Sequence, residues 1–220
     1  MSESDDKWGA AYGWMLAIAA ALSLAFAMVH PQVHGHDLAG VLGQLREGAL
    51  FNSWVHGILM ALAMVLVAGF AGLSRRLGFG RPEVTLGLTF YAMGTMAMMG
   101  AAVINGFALS IFAGRYDAGI VGQEAALGAA FNLAGSIAAT WAGVGAAGMS
   151  GGILAWSLRL VALPGTARII GVGGILLGLA TIALLVAGVL ILNVHGFLLL
   201  VFSQTIWTIA VGVLLIKQRL

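Results

Sequence analysis

Residues 169–192 read IIGVGGILLGLATIALLVAGVLIL and contain no charged side chain. A helix of about 20 apolar residues crosses a hydrocarbon core of about 30 Å, so this stretch is long enough to span a membrane. Five other segments share its character, near 9–30, 53–73, 84–113, 126–158 and 195–216. The sequence therefore predicts an all-α integral membrane protein, with a six-transmembrane-helix bundle in one polytopic domain over 1–220.

The composition excludes a soluble fold. Hydrophobic residues make up 61% of the chain and charged residues 8%, whereas soluble domains carry about 25% charged residues. The apolar runs are continuous, unlike the alternating segments of about 10 residues in membrane barrels, and backbone groups in lipid are satisfied within helices. We expect contact with the lipid bilayer and, at a formal net charge of +2, no nucleic acid partner.

The basic residues predict the orientation of the bundle. If the N-terminus lies inside, eight basic residues fall on cytoplasmic segments and only Arg46 and Arg115 on external ones. Because short cytoplasmic loops carry an excess of Lys and Arg, we predict cytoplasmic termini, a multi-pass protein of the cell inner membrane, and extracytoplasmic histidines. Residues 25–27 resemble a signal-peptide cleavage site, but signal peptides begin with a positive region, and the acidic start MSESDDK favours an uncleaved first helix.

The longest connection, 31–52, contains a helical pattern of its own. Its apolar residues recur at helical spacing, which predicts a short helix near 37–49: Leu38, Val41, Leu42 and Leu45. This helix would lie at the membrane surface or cap the bundle, and both roles are compatible. The short connections elsewhere are compatible with three consecutive helical hairpins.

A row of small residues marks the fourth apolar segment, where they recur every four positions: Gly135, Ala139, Gly143, Ala147 and Gly151. Such rows let two helices approach closely. Gly174 and Gly178 form a similar pair in the fifth segment. The row predicts either a homo-oligomer contact or packing inside one chain, and we favour the second.

The stretch 30–37, HPQVHGHD, holds three of the five histidines. Neutral imidazole binds Zn, Cu, Fe and Ni, so this stretch and two more distant histidines supply candidate metal ligands: His30, His34, His36, Asp37, His56 and His195. The alternative is a solvated polar loop, because an H-x-H pair alone is a weak motif.

A second pattern joins one histidine to two methionines in the second apolar segment. His56, Met60 and Met64 follow one another at intervals of four, so they share a helix face. Thioethers select Cu(I), and this face would form a copper path. We favour the alternative that methionine fills apolar gaps, because the methionines of the third segment do not form a single row.

Polar residues near the outer ends of several segments predict an outward-facing pocket. The candidate cofactor-binding residues are His56, Asn105, Asn132, Asn193 and His195. Polar groups in membrane segments usually face the bundle interior or a cavity, and histidine is a common axial ligand of haem. The alternative is hydrogen bonding between helices.

The last segment divides its polar residues between two faces. His195 and Gln204 are nine residues apart, which places them on opposite sides of a straight helix. They are therefore not expected to line the same cavity. Gln204, Thr205 and Thr208 are expected to bond a neighbouring helix instead.

The stretch from His56 to Phe79, HGILMALAMVLVAGFAGLSRRLGF, resembles the second helix of styrene oxide isomerases and hydroxylaminobenzene mutases. Those are small helical membrane proteins, and the isomerase uses haem b with a histidine ligand. The resemblance covers at most the second and third segments, through Asn105, and implies haem b ligation by His56. This chain departs from the family with six helices instead of four, and with Met60, Ala61 and Leu62 where the family has an asparagine.

Three functions are compatible with these residues. The leading hypothesis is a membrane protein with an outward-facing histidine site that binds haem b or a transition metal ion (Cu or Zn), with or without enzymatic activity. The alternatives are a transporter or channel for a small solute that uses the same pocket, and an accessory or assembly subunit in which helix packing is the main feature.

Overall fold

The computed structural model describes residues 3–31, 37–115 and 124–220, and excludes the side chains of residues 3–7 and 124. Within these ranges the fold is all-helical, without a strand. Six helices are long and apolar enough to cross a membrane. The predicted six-helix membrane bundle is confirmed.

The helices follow the predicted segments closely: α1 (Glu3–Met28), α2 (Leu38–Glu47), α3 (Ala49–Leu77), α4 (Pro82–Val103), α5 (Leu109–Arg115), α6 (Glu124–Val161), α7 (Thr166–Val186) and α8 (Val194–Ile216). A π-helical segment, Ile104–Ala108, joins α4 to α5 in one span. The histidine end of the bundle is the end at which α1 ends and α3 and α8 begin. The arginine end is the opposite one, where α3 ends and α4 begins.

The helices pack in an order different from that of the chain. α1 lies between α3 and α8, while α4 lies along α6, and α6 also packs along α7. Two of the predicted hairpins, α1 with α3 and α4 with α6, are therefore packed pairs. The third pair, α7 with α8, is in less extensive contact than α7 is with α6.

Glycines bring α4 and α6 together. A Cβ added at Gly94 would lie 2.5 Å from the backbone nitrogen of Met149, and one at Gly145 would lie 2.8 Å from the backbone nitrogen of Met98. Side chains at these positions would separate the helices, because backbone atoms cannot move aside as a flexible side chain can. The contact row on α6 consists of Gly145, Gly148 and Gly152.

The predicted small-residue row on α6 packs inside the chain at Gly151, where an added Cβ would lie 3.5 Å from Phe90 Cδ2. A Cβ added at Gly135 or Gly143 would meet no heavy atom of the described residues within 4 Å, so these two glycines pack no helices together in this part of the chain. The physical reason is that the neighbouring row of Gly145, Gly148 and Gly152 faces α4. In contrast, Gly174 and Gly178 do pack inside the chain, against the Ser157 and Ser150 turns of α6.

Polar side chains join helices within the apolar core. The indole Nε1 of Trp156 donates to Ser74 Oγ at 2.8 Å, and the Trp156 ring stacks on Phe70. On α8, Gln204 Nε2 donates to Ser150 Oγ at 3.2 Å and Thr205 Oγ1 to the Ala20 carbonyl at 3.4 Å. The expected bonding to neighbouring helices is confirmed for Gln204 and Thr205.

The predicted short helix is present as α2. Its first turn is capped by Asp37, whose Oδ1 accepts a hydrogen bond of 2.7 Å from the Gly40 nitrogen. Its apolar face, with Leu42 and Leu45, packs on Leu109 and Ala113 of α5. Within the described residues α2 thus covers the α5 end of the bundle, in agreement with the capping role.

Candidate functional site

Two histidines meet at the histidine end of the bundle. His30 follows the end of α1, and His56 lies two turns into α3 with only 5% of its surface exposed. Their Nε2 atoms are 3.1 Å apart, with the two rings near perpendicular at 70°. The chain separates these residues by 26 positions, so the contact depends on the packing of α1 against α3.

The other ring nitrogen of each histidine contacts a backbone carbonyl. His30 Nδ1 lies 3.0 Å from the Pro31 oxygen, and His56 Nδ1 lies 2.9 Å from the Asn52 oxygen. A carbonyl oxygen only accepts, so both Nδ1 atoms are the protonated donors. In neutral rings the two Nε2 atoms then both carry lone pairs. Two acceptors at 3.1 Å repel each other unless a positive group, an additional proton or a metal ion, lies between them.

The π-helical segment supports His56 from the opposite side. Asn52 Nδ2 donates to the Asn105 carbonyl at 2.9 Å and to Ser110 Oγ at 3.3 Å, and Ser53 Oγ donates to the Gly106 carbonyl at 3.0 Å. These bonds satisfy carbonyls in a segment whose hydrogen bonding departs from the α pattern. Such π-helical segments are frequent at functional sites.

Glycine at position 106 is required by the position of His56. A Cβ added at Gly106 would collide with the Cβ and Cγ atoms of His56. The absence of a side chain therefore lets the π segment and the imidazole share one layer of the bundle. His56 on α3 is thus held between the Asn52 carbonyl, the π-helical segment and His30.

A cavity of about 350 Å³ extends from the histidine pair into the bundle. His30, His56, Asn105 and Asn193 line it at the histidine end, where the last two residues are exposed and mark its mouth. Thr208 lies 15 residues further along α8 than Asn193, a rise of about 22 Å at 1.5 Å per residue, and also lines the cavity. Most of the remaining wall is apolar, and it includes Met60, Met98, Met99 and Met149.

The structure brings some of the predicted site residues together and separates others. His56, His30, Asn105 and Asn193 line one cavity, whereas His195 and Asn132 are exposed and do not line it. The expectation that His195 and Gln204 do not share a cavity is confirmed, since Gln204 does line it.

The predicted first-loop metal site is only partly described. His34 and His36 lie outside the described residues, and the Asp37 carboxylate caps α2. In the described ranges, no group of three or more His, Cys, Asp or Glu residues is close enough to hold a metal ion. The two histidines that meet would therefore need other donor types to complete a coordination shell.

The predicted row of His56, Met60 and Met64 does not line a single path. Met60 lines the cavity, but 57% of Met64 is exposed on the bundle surface. The physical reason is that a straight α3 turns its face by about 80° over eight residues at 3.6 residues per turn, so positions 56 and 64 meet different neighbours.

Sequence reasoning missed the pairing of His30 with His56 and the role of Tyr91, Gln204 and Thr208 in the cavity wall. The order of the first two spans could have predicted this pair. His30 ends the first span and His56 begins the second, so both lie at the same end of adjacent antiparallel helices. The sequence instead groups His56 with His195, because both lie near the outer ends of their apolar segments.

The surroundings of His30 favour its neutral form. Burial lowers the pKa of its imidazole below the ordinary value of 6.5, and the hydrogen bond to the Pro31 carbonyl acts in the opposite direction. A neutral imidazole with a protonated Nδ1 presents its Nε2 lone pair to a proton or a metal.

No family model, curated protein or solved structure matches this chain.

Proposed function

We propose that this chain is an integral membrane protein that binds a transition metal ion between His30 and His56. The supporting observation is the 3.1 Å separation of two Nε2 atoms whose Nδ1 partners both contact carbonyls. Metal-bound histidines commonly donate their second ring nitrogen to a carbonyl or carboxylate, which fixes the tautomer and the ring orientation. Both imidazoles have this second contact.

The separation fits two adjacent ligands of one ion. At metal–nitrogen bonds of about 2.0–2.1 Å, nitrogens 3.1 Å apart subtend an angle of roughly 100° at the metal. This angle lies between those of tetrahedral and square-planar sites, the geometries of Zn and of Cu. Met60 and Asn105 line the same cavity, and a methionine thioether in the shell would favour Cu(I).

The same distance favours a metal ion over haem b. Two axial ligands on opposite faces of a haem would be separated by about 4 Å, twice a metal–nitrogen bond of about 2.0 Å. A haem on His56 alone would require His30 to leave its position 3.1 Å away. Haem b therefore becomes the second choice of cofactor.

Metal content tests the proposal. The protein is purified in detergent, and bound copper and zinc are measured by mass spectrometry together with the absorption spectrum, in wild type and in the variants His30→Ala, His56→Ala and His195→Ala. We expect about one ion per chain in wild type and in His195→Ala, and at least a tenfold loss in the other two. Wild-type protein without metal after incubation with either ion, or metal retained in His30→Ala and His56→Ala, would rule out the paired site. A Soret band that disappears in His56→Ala would favour haem b.

Transport of a small solute is the second candidate, and the depth of the cavity supports it. The cavity reaches from Asn193 to Thr208, well into the bundle. Its largely apolar wall favours a lipid-soluble solute over a polar one. Uptake of a small lipid-soluble solute into proteoliposomes that contain the metal-free protein would support transport over the metal site. The absence of such uptake would rule out transport.

We also propose the orientation and one assembly contact. The excess of basic residues at the arginine end supports cytoplasmic termini in a bacterial-type inner membrane, with the histidine pair on the opposite side. The row that contains Gly135 and Gly143 has no neighbour among the described residues at these two positions, which supports a homo-oligomer contact there. A Gly143→Ile variant should then reduce cross-linking between copies, and unchanged cross-linking would argue against this contact.

A further inference from the structure

The inner end of the cavity carries hydroxyl groups that bond to no described residue. Tyr91 and Thr208 are 2% and 3% exposed and both line the cavity. Neither side chain has a hydrogen bond to any residue in the described ranges, and neither oxygen is among the fully buried atoms without a partner, so both hydroxyls face the open space of the cavity. Two hydroxyl groups with unused hydrogen-bonding capacity on one cavity wall provide partners for a polar group of a molecule inside the cavity.

Gln204 adds an acceptor to the same wall. Its Nε2 donates to Ser150 Oγ at 3.2 Å, which fixes the amide, and its side chain is 7% exposed. The amide oxygen has no bond in the described part of the chain. The inner wall therefore offers both donors and an acceptor.

The rest of the wall determines the chemical character of the occupant. No lining residue is an Asp, Glu, Lys or Arg, and the long middle part is formed by residues such as Leu59, Ala63, Leu66, Leu200 and Val201. A charge in this environment would be costly. At about 350 Å³, the volume falls within the range of about 300–1,000 Å³ that is common for ligand sites.

We propose that this cavity binds an uncharged, lipid-soluble molecule with an elongated apolar body and a terminal hydroxyl or carbonyl oxygen that bonds to Tyr91 and Thr208. The histidine pair lies at the mouth, about 20 Å from these hydroxyls by helix rise. The ligand site and the proposed metal site thus occupy opposite ends of one cavity, and ligand binding does not depend on a metal at His30 and His56.

Photolabelling with a ten-carbon primary alcohol that carries a diazirine in its chain tests this site. After irradiation in proteoliposomes treated with a chelator, mass spectrometry identifies the labelled peptides. We expect label on the cavity-facing parts of α4 and α8, and competition by unlabelled 1-decanol. An Ala63→Phe variant fills the cavity wall and should lower this labelling about tenfold. The matched control is Ala61→Phe, at an exposed position two residues away on the same helix, which should not change it.

Conservative variants test the polar end without filling the cavity. In Tyr91→Phe and Thr208→Val, 1-decanol should compete about 5- to 10-fold more weakly, as expected for one lost hydrogen bond of about 1 kcal/mol. Competition by decane, which has no oxygen, should not change. Label spread evenly over lipid-facing residues, or equal competition by 1-decanol in wild type and both variants, would overturn the proposal. Because these two variants preserve shape, they decide the question even if Ala63→Phe does not fold.

Discussion

The side chain of Asn52 donates a hydrogen bond of 2.9 Å to the backbone carbonyl of Asn105 in the π-helical segment. The carbonyl of the same Asn52 lies 2.9 Å from Nδ1 of His56. One residue therefore connects the irregular segment between α4 and α5 to the imidazole at the cavity mouth. This arrangement lets the position of His56 depend on a helix to which it does not belong.

Replacement of Asn52 by Ala should destabilise the histidine end. Asn52 is 7% exposed, and its removal leaves the Asn105 carbonyl and the Ser110 hydroxyl without this donor. An unsatisfied buried group costs about 1–3 kcal/mol, and thermal unfolding in detergent should report a lower midpoint. Asn132→Ala, at an exposed position, should have a midpoint close to wild type. Equal midpoints for both variants would argue against the role of Asn52.

Gly106→Ala should displace His56. The added methyl group would collide with the Cβ and Cγ of His56, and overpacking typically costs about 1–3 kcal/mol. Metal binding at the pair should fall together with stability. Gly114→Ala is the control, because its Cβ would meet no atom within 4 Å in the described ranges. If Gly106→Ala retains wild-type metal affinity, the π segment does not position His56.

Gly94→Ala should weaken the contact between α4 and α6. A Cβ would lie 2.5 Å from the Met149 nitrogen and 2.7 Å from the Gly145 carbonyl oxygen, so the two backbones must separate. We expect a loss of about 1–3 kcal/mol, measured as resistance to denaturation in mixed micelles. The matched change on α6 is Gly135→Ala, whose methyl group meets no described residue within 4 Å and which should be neutral or slightly stabilising. A destabilised Gly135→Ala with a stable Gly94→Ala would contradict the packing described above.

The burial of His30 predicts a dependence of stability on pH. Because its folded pKa lies below the ordinary 6.5, the unfolded chain binds more protons in the interval between the two values, and stability falls as pH decreases through that interval. We expect the unfolding midpoint of metal-free protein to decrease from pH 7 to pH 5, with a shallower decrease in His30→Gln. His195→Gln should keep the wild-type slope. The same slope in His30→Gln and wild type would remove His30 as the cause.

The orientation is directly testable because the chain has no cysteine. A single cysteine at Val189, exposed near the histidine end, should react with a membrane-impermeant maleimide added to intact spheroplasts. A cysteine at Gly80, exposed in the α3–α4 turn, should react only after the membrane is permeabilised. The reverse pattern would invert the proposed topology.

The fold could be predicted from the sequence because a membrane interior accepts only apolar segments whose backbone is hydrogen-bonded internally. The run 169–192 and its five counterparts are uniformly apolar, and lipid leaves helices as the way to satisfy the backbone, so the number of spans and their approximate limits followed without tertiary information. The short helix α2 was predictable for a related reason, since the spacing of Leu42 and Leu45 and the cap at Asp37 are local features.

Tertiary packing decided which residues meet. Every helix face in a lipid-embedded bundle is apolar, so hydrophobic periodicity does not distinguish the row of Gly145 and Gly148, which packs on α4, from the row of Gly135 and Gly143, which does not. For the same reason the sequence predicted that all five histidines lie at one end but did not pair them. The packing of α1 against α3 brought His30 to His56, and the free space between α3, α4 and α8 placed Tyr91 and Thr208 in the wall of a cavity.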